Sequence, residues 1–141
     1  MSSLFEQTFV LVLRIANGIL EGRADARTST AALTAQADQV AAELREAEAR
    51  FDEAPGQAGL SRILGARAAF CSQVAGERLL QTFVQRGELG VPRAIETFDV
   101  TANTLVRYLN AEADGDEVGA IEAVEDACSM LPPGRREMLS R

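Results

Sequence analysis

Between Thr30 and Glu53, the residues Leu33, Ala37, Val40, Leu44, Ala47 and Phe51 recur alternately four and three positions apart. That spacing gathers all six on one face of an α-helix and would scatter them over both faces of a strand. The same rhythm runs through the rest of the chain. Phe5, Phe9, Val12, Ala16 and Ile19 form one stripe, widened by Val10, Leu13 and Leu20, and Ile95, Phe98, Ala102, Leu105 and Leu109 form another. No segment alternates with period two. The expected fold is therefore all-α: a helical bundle of five main helices and a sixth short one, packed as one bundle or as two sub-bundles. A length of 141 residues suits a single domain over 1–141 with a core of its own.

Local signals divide the pattern. Ser3 and Glu6 make a capping box for a first helix over Leu4–Leu20, with Gly22 past its end. The second helix, Thr30–Glu53, is charged away from its apolar seam and reads as an exposed arm of a helical hairpin. Pro55-Gly56-Gln57-Ala58-Gly59 ends it. A third helix is expected over Ser61–Gln85, with Ile63, Phe70, Val74 and Phe83 inward and Leu64, Cys71 and Leu79 beside them. Gly65 and Gly76 lie inside it, each at a cost of about 1 kcal/mol against alanine, which close approach of a neighbouring helix would explain. Gly87–Gly90 closes this segment and Pro92 opens the fourth helix. Residues 113–116 form a turn in which Asp116 caps a fifth helix reaching Met130, its inner face made by Ile121, Val124, Cys128 and Leu131. Pro132-Pro133-Gly134 stops that helix before a short tail.

The chain has no histidine, and its cations are all arginine, because lysine is absent too. Histidine is the usual general base near neutral pH and the commonest metal ligand. Without it there is no Ser/His/Asp or Cys/His pair and no histidine-based zinc or di-iron site. Without lysine there is no Schiff base and no phosphate-binding P-loop lysine. Acid–base chemistry would rest on carboxylates and Tyr108 alone, so the expectation is a protein that is not an enzyme and takes no cofactor or metal. The net charge of −7 argues against nucleic acid and against an anionic membrane surface as partners. Cys71 and Cys128 stand in apolar helical stretches without C-x-x-C spacing and read as buried free thiols, which fits a reducing, cytoplasmic setting. The start of the chain lacks a basic n-region, and Phe9–Leu13 is too short an apolar run to span a bilayer.

Two acidic clusters have an ordinary reading. A calcium loop opening at Glu112 would need glycine at its sixth position and glutamate at its twelfth, where Glu117 and Ala123 stand. Glu43, Glu46 and Glu48 flank the helix-two seam and read as solvated charges. Arg67 and Glu77 differ, because they share the helix-three face of Phe70 and Val74. Two readings stand: an ion pair within the bundle, or a polar spot in a groove. In the second, Arg67, Glu77 and Glu88 bind a partner protein near Phe83 and the Gly87–Gly90 turn, and an acidic surface would meet a basic partner.

The run Ala66-Arg67-Ala68-Ala69-Phe70-Cys71, followed by Gly76-Glu77-Arg78-Leu79-Leu80, resembles the central motif of the DotU/TssL family, roughly A-R-Y-A-L-C-A-x-x-D-E. These are inner-membrane components of type VI and type IVB secretion systems. Gly87–Phe98 falls where the family has a glycine-containing turn and a paired-phenylalanine helix. Ile121-Glu122 through Cys128, then Gly134-Arg135-Arg136, is similar to the family's L-E-x-x-x-x-C-L-x-x-G-F-x-G-R-Y signature. The chain departs from the pattern at several points. Ala75-Gly76 replaces the acidic pair, Ala68 replaces the tyrosine, Pro132-Pro133 interrupts the last signature, and the family's C-terminal membrane anchor does not follow. The resemblance implies a hooked pair of helical bundles that recruits baseplate proteins at the cytoplasmic face of the inner membrane, an assembly role without catalysis. The alternative is a stand-alone assembly chaperone or self-associating protein of a phage or bacterial complex, in contact through the helix-two seam as a homo-oligomer.

Overall fold

The computed structural model describes residues 3–21, 26–85, 91–136 and 139. Among them are six helices and no strand: α1 (Leu4–Leu20), α2 (Ala26–Glu53), α3 (Gln57–Gln85), α4 (Val91–Ala113), α5 (Glu117–Ser129) and α6 (Pro133–Arg136). None of these helices is long and apolar enough to cross a membrane.

The caps explain most of the boundaries. Ser3 Oγ accepts from the Glu6 N–H at 3.1 Å, which satisfies a first-turn donor of α1. α3 opens at Gln57 rather than Ser61, because the chain needs only 54–56 to reverse. The Leu60 N–H already reaches the Gly56 carbonyl at 2.8 Å. Gly59 therefore lies in the first turn of α3, where a Cβ would sit 3.2 Å from the Ala54 carbonyl oxygen. α2 likewise begins at Ala26, ahead of Thr30, since no proline or glycine interrupts Ala26–Ser29.

Between α4 and α5 the corner is as tight as two helices allow. Gly115, at φ +70°, sends its N–H to Glu112, and Asp116 sends its own to Ala111. These two bonds close α4 in a Schellman motif. Asp116 then caps α5, accepting from the Gly119 N–H at 3.0 Å.

α3 is the axis of the bundle and packs against α1, α2, α4 and α5. Two apolar clusters lie along it. One joins Phe5 and Phe9 of α1, Val40 and Leu44 of α2, Ile63, Phe70 and Val74 of α3, Leu105 and Tyr108 of α4, and Val124 of α5. The other joins Val12, Leu33, Leu79, Leu80 and Phe98. Phe5 stacks on Phe9 and meets Tyr108 edge-on at 5.3 Å.

α2 is not an exposed arm. Leu33, Val40, Leu44 and Ala47 are all buried, and α2 lies against both α3 and α1. Polar bonds hold it there as well. Gln73 Nε2 donates to the Leu33 carbonyl at 2.8 Å, and Gln36 Nε2 donates to Thr8 Oγ1 at 2.9 Å. Arg62 reaches back from α3 to Glu43 at 2.8 Å and to Glu46 at 3.5 Å. Two of the acids read as solvated thus clamp the α2–α3 hairpin. Phe51, expected within the seam, is only partly buried at its end, and Val10 and Leu20 are 44% and 52% exposed, outside the covered arc of α1.

Gly76 confirms the close-approach reading and Gly65 does not. A Cβ on Gly76 would stand 3.0 Å from Val12 and 3.2 Å from Leu33, whereas one on Gly65 would meet only the Tyr108 hydroxyl at 3.6 Å.

Candidate functional site

Arg67 and Glu77 do not come together. Glu77 belongs to a polar knot that pins the C-terminal segment to α3. Its carboxylate takes an ion pair from Arg135 and a hydrogen bond from Gln73 Nε2 at 3.3 Å. The Arg135 guanidinium also lies 5.7 Å from the centre of the Phe70 ring, a cation–π arrangement. The intra-bundle ion pair weighed for Glu77 is therefore present, with a partner from α6. Glu88 and the Gly87–Gly90 turn lie outside the described residues.

Arg67 faces a different neighbour. It lines an open cavity of about 450 Å³ between the start of α3 and α5, with apolar walls from Phe51, Leu60, Ile63 and Ile121. Its Nε is buried and lacks a hydrogen-bond partner. Cys128 opens on the same cavity, and behind it the Sγ of Cys71 lies 3.5 Å from that of Cys128. Both cysteines are free thiols, Cys71 buried and Cys128 half-buried. The hydrogen bond with Cys128 and burial push the Cys71 thiol well above its ordinary value. The same hydrogen bond, helped by the Arg67 charge, lowers Cys128 against burial and Glu125. The two thiols come from separate motifs, 57 residues apart, so spacing gave no sign of the contact.

On the opposite flank of α3, a groove of about 340 Å³ runs between α3 and α4 and is closed at one end by Met130 and Leu131. Leu79, Phe98 and Leu131 are buried beneath it. Arg78 and Arg93 edge it, and Arg78 Nη1 donates to the Met130 carbonyl at 3.2 Å. Thr82 and Thr101 also line it, and each returns its hydroxyl proton to the carbonyl four residues back. A second hollow continues outward past Arg93, Glu96 and Thr97 to Val100, which is 49% exposed. This groove is a different one from that expected around Arg67, Glu77 and Glu88: neither Arg67 nor Glu77 lines it, Glu88 lies outside the described residues, and its charged edge is Arg78 and Arg93. Arg93 carried a signal, being an arginine one residue past the helix-opening Pro92. Arg78 stands inside the Gly76–Leu80 run and has no spacing signal of its own.

Tyr108 lines a small hollow with Glu112 at the end of α4. It is buried, and burial together with a hydrogen bond to Glu112 holds its phenol above the ordinary range. Among the described residues no cluster of three or more acidic or cysteine side chains is placed to hold a metal ion. Compared with known protein families, curated proteins and solved structures, the chain matches none.

Proposed function

We propose that the chain is a non-enzymatic helical adaptor that captures an extended acidic segment of a partner protein in the α3–α4 groove. The observation that carries this reading is the groove itself: an apolar floor edged by Arg78 and Arg93 on a chain of net charge −7. Net charge alone pointed to a basic partner; at this groove an apolar floor supplies burial and two guanidiniums supply bidentate recognition of carboxylates, so an acidic segment takes its place. The chain's net charge of −7 disfavours the same partner elsewhere on its surface.

In its sharpest form the adaptor is the cytoplasmic domain of a secretion-system membrane-complex component, and its partner is a baseplate protein. Ala66, Ala68, Ala69 and Cys71 of the first motif are buried at the centre of the bundle, and Cys128 of the second signature touches Cys71. Parts of the two stretches that carry the resemblance thus pack against each other. The stand-alone self-associating reading is weaker, because the helix-two seam it relied on is buried against α1 and α3.

The test is co-purification with the products of the neighbouring genes. The wild-type chain is expected to retain a sheath or baseplate protein, with retention falling as salt rises. Arg78→Glu with Arg93→Glu is expected to lose it while the helical circular-dichroism signal stays unchanged. Retention undiminished by the double reversal would remove the groove from the account.

A further inference from the structure

We propose that Cys71 and Cys128 form a peroxide-reactive dithiol, in which Cys128 is oxidised from the Arg67 cavity and Cys71 resolves the product to an intramolecular disulfide. This site is independent of the α3–α4 groove. Three features of the geometry carry it. The sulfurs are 3.5 Å apart on two different helices, α3 and α5. A disulfide needs about 2.05 Å, so closure asks for a movement of roughly 1.5 Å, shared between two side chains. Access is asymmetric: Cys71 is fully buried, while Cys128 lines an open cavity of about 450 Å³. The described walls of that cavity are mostly apolar, with Arg67 and Glu125 among them, so it admits a small neutral oxidant and keeps a guanidinium beside the thiol pair.

The electrostatics agree with that division of labour. The two thiols share a hydrogen bond that either sulfur can donate, and Arg67 acts on both in the direction that favours thiolate. Cys128 is the more accessible of the two, as the attacking sulfur must be, and the Arg67 charge favours its thiolate. Glu125 opposes this from α5, as does the burial of Cys128 itself.

The chemistry balances with a hydroperoxide ROOH as the oxidant. The Cys128 thiolate attacks one peroxide oxygen, the O–O bond breaks, and the departing alkoxide takes a proton to leave as ROH. Cys128 is then a sulfenic acid. The sulfur of Cys71 attacks Cys128 Sγ, the S–O bond breaks, and hydroxide leaves with the Cys71 proton as water. Two thiols lose two electrons and two protons, and one hydroperoxide becomes ROH and water. The product ties α5 to α3 across a 57-residue separation.

Hydrogen peroxide is the probe, applied to the full chain, with thiol titration, intact mass and peptide mapping as readouts. The wild type is expected to fall from two titratable thiols to none and to lose two hydrogens in mass. After cleavage at arginine, the segments Ala68–Arg78 and Tyr108–Arg135 should be joined until dithiothreitol separates them. The oxidised chain should melt roughly 10 °C higher, since cross-linking so long a loop restricts the unfolded state. In Cys71→Ala the reaction should stop at a dimedone-trappable sulfenic acid on Cys128, and in Cys128→Ala the remaining thiol should react at least tenfold more slowly. Arg67→Gln should slow the wild-type reaction at pH 7, with the deficit closing above the ordinary thiol pKa of about 8.5. Two thiols still titrating after peroxide, oxidation that yields only dimers between chains, or equal reaction of the two single-cysteine variants would each overturn the proposal. The wild-type mapping decides the matter even if a variant fails to fold.

Discussion

Replacing Gly76 and Gly65 by alanine, one at a time, isolates packing from helix propensity. Both glycines sit inside α3, so each alanine gains about 1 kcal/mol of propensity. They differ in what the new methyl meets. At Gly65 it finds the Tyr108 hydroxyl at 3.6 Å, an ordinary contact. At Gly76 it finds both Val12 methyls, at 3.0 and 3.2 Å, and a Leu33 methyl at 3.2 Å. Neither neighbour can yield easily. Val12 and Leu33 are each 2% exposed, and a helical valine has one strongly preferred rotamer. Overpacking of this kind costs about 1–3 kcal/mol. Gly65→Ala should therefore stabilise by roughly 0.5–1 kcal/mol, while Gly76→Ala should destabilise by about 1 kcal/mol. Urea unfolding followed by circular dichroism gives both values on one scale. If Gly76→Ala stabilises as much as Gly65→Ala, then α1 and α2 do not approach α3 as closely as described.

Three other outcomes follow from particular contacts. Phe70→Ala should lose about 3–5 kcal/mol in the same urea assay, because Phe70 is 4% exposed in the larger cluster; a loss under about 1 kcal/mol would contradict that placement. Asp116→Ala should lose about 1 kcal/mol by removing the side-chain acceptor for Gly119, and an unchanged melting temperature would show that this cap is not holding α5. The pH dependence follows from Tyr108, whose folded pKa is raised by burial and by Glu112. A raised folded value means its contribution is fully present below the unfolded value of about 10 and is lost as pH climbs beyond it. Melting temperature should fall above pH 10 in the wild type and fall less steeply in Tyr108→Phe; parallel curves would count against a buried phenol.

The helices were legible because their signals are local. Ser3, Pro92, Gly115 and Asp116 act on groups within a few residues, and the three/four seams of α2 and α4 point inward wherever a partner exists. What a seam cannot give is the identity of that partner. Leu33 to Ala47 read as an arm because nothing in those residues says that α1 and α3 both cover them. The candidate site failed for the same reason. Arg67 and Glu77 lie on one helix but answer to different neighbours, α5 and α6, and ten residues of helical rotation and rise separate them. Arg135 carries no sign that it will fold back on Phe70, and the Cys71–Cys128 contact depends wholly on tertiary packing. Arg62 shows the converse: the acids it binds, Glu43 and Glu46, were visible only as charges on an outer face.

The adaptor claim meets its most direct test in site-specific photocrosslinking within the source cell. A photoreactive residue at Thr97, inside the α3–α4 groove, is compared with one at Arg45, on the exposed side of α2. The account predicts a discrete cross-linked species from Thr97, identified by mass spectrometry as a baseplate or membrane-complex protein joined through an acidic segment, and none from Arg45. The same partner cross-linking from Arg45 with Thr97 silent would contradict it and place the contact on α2.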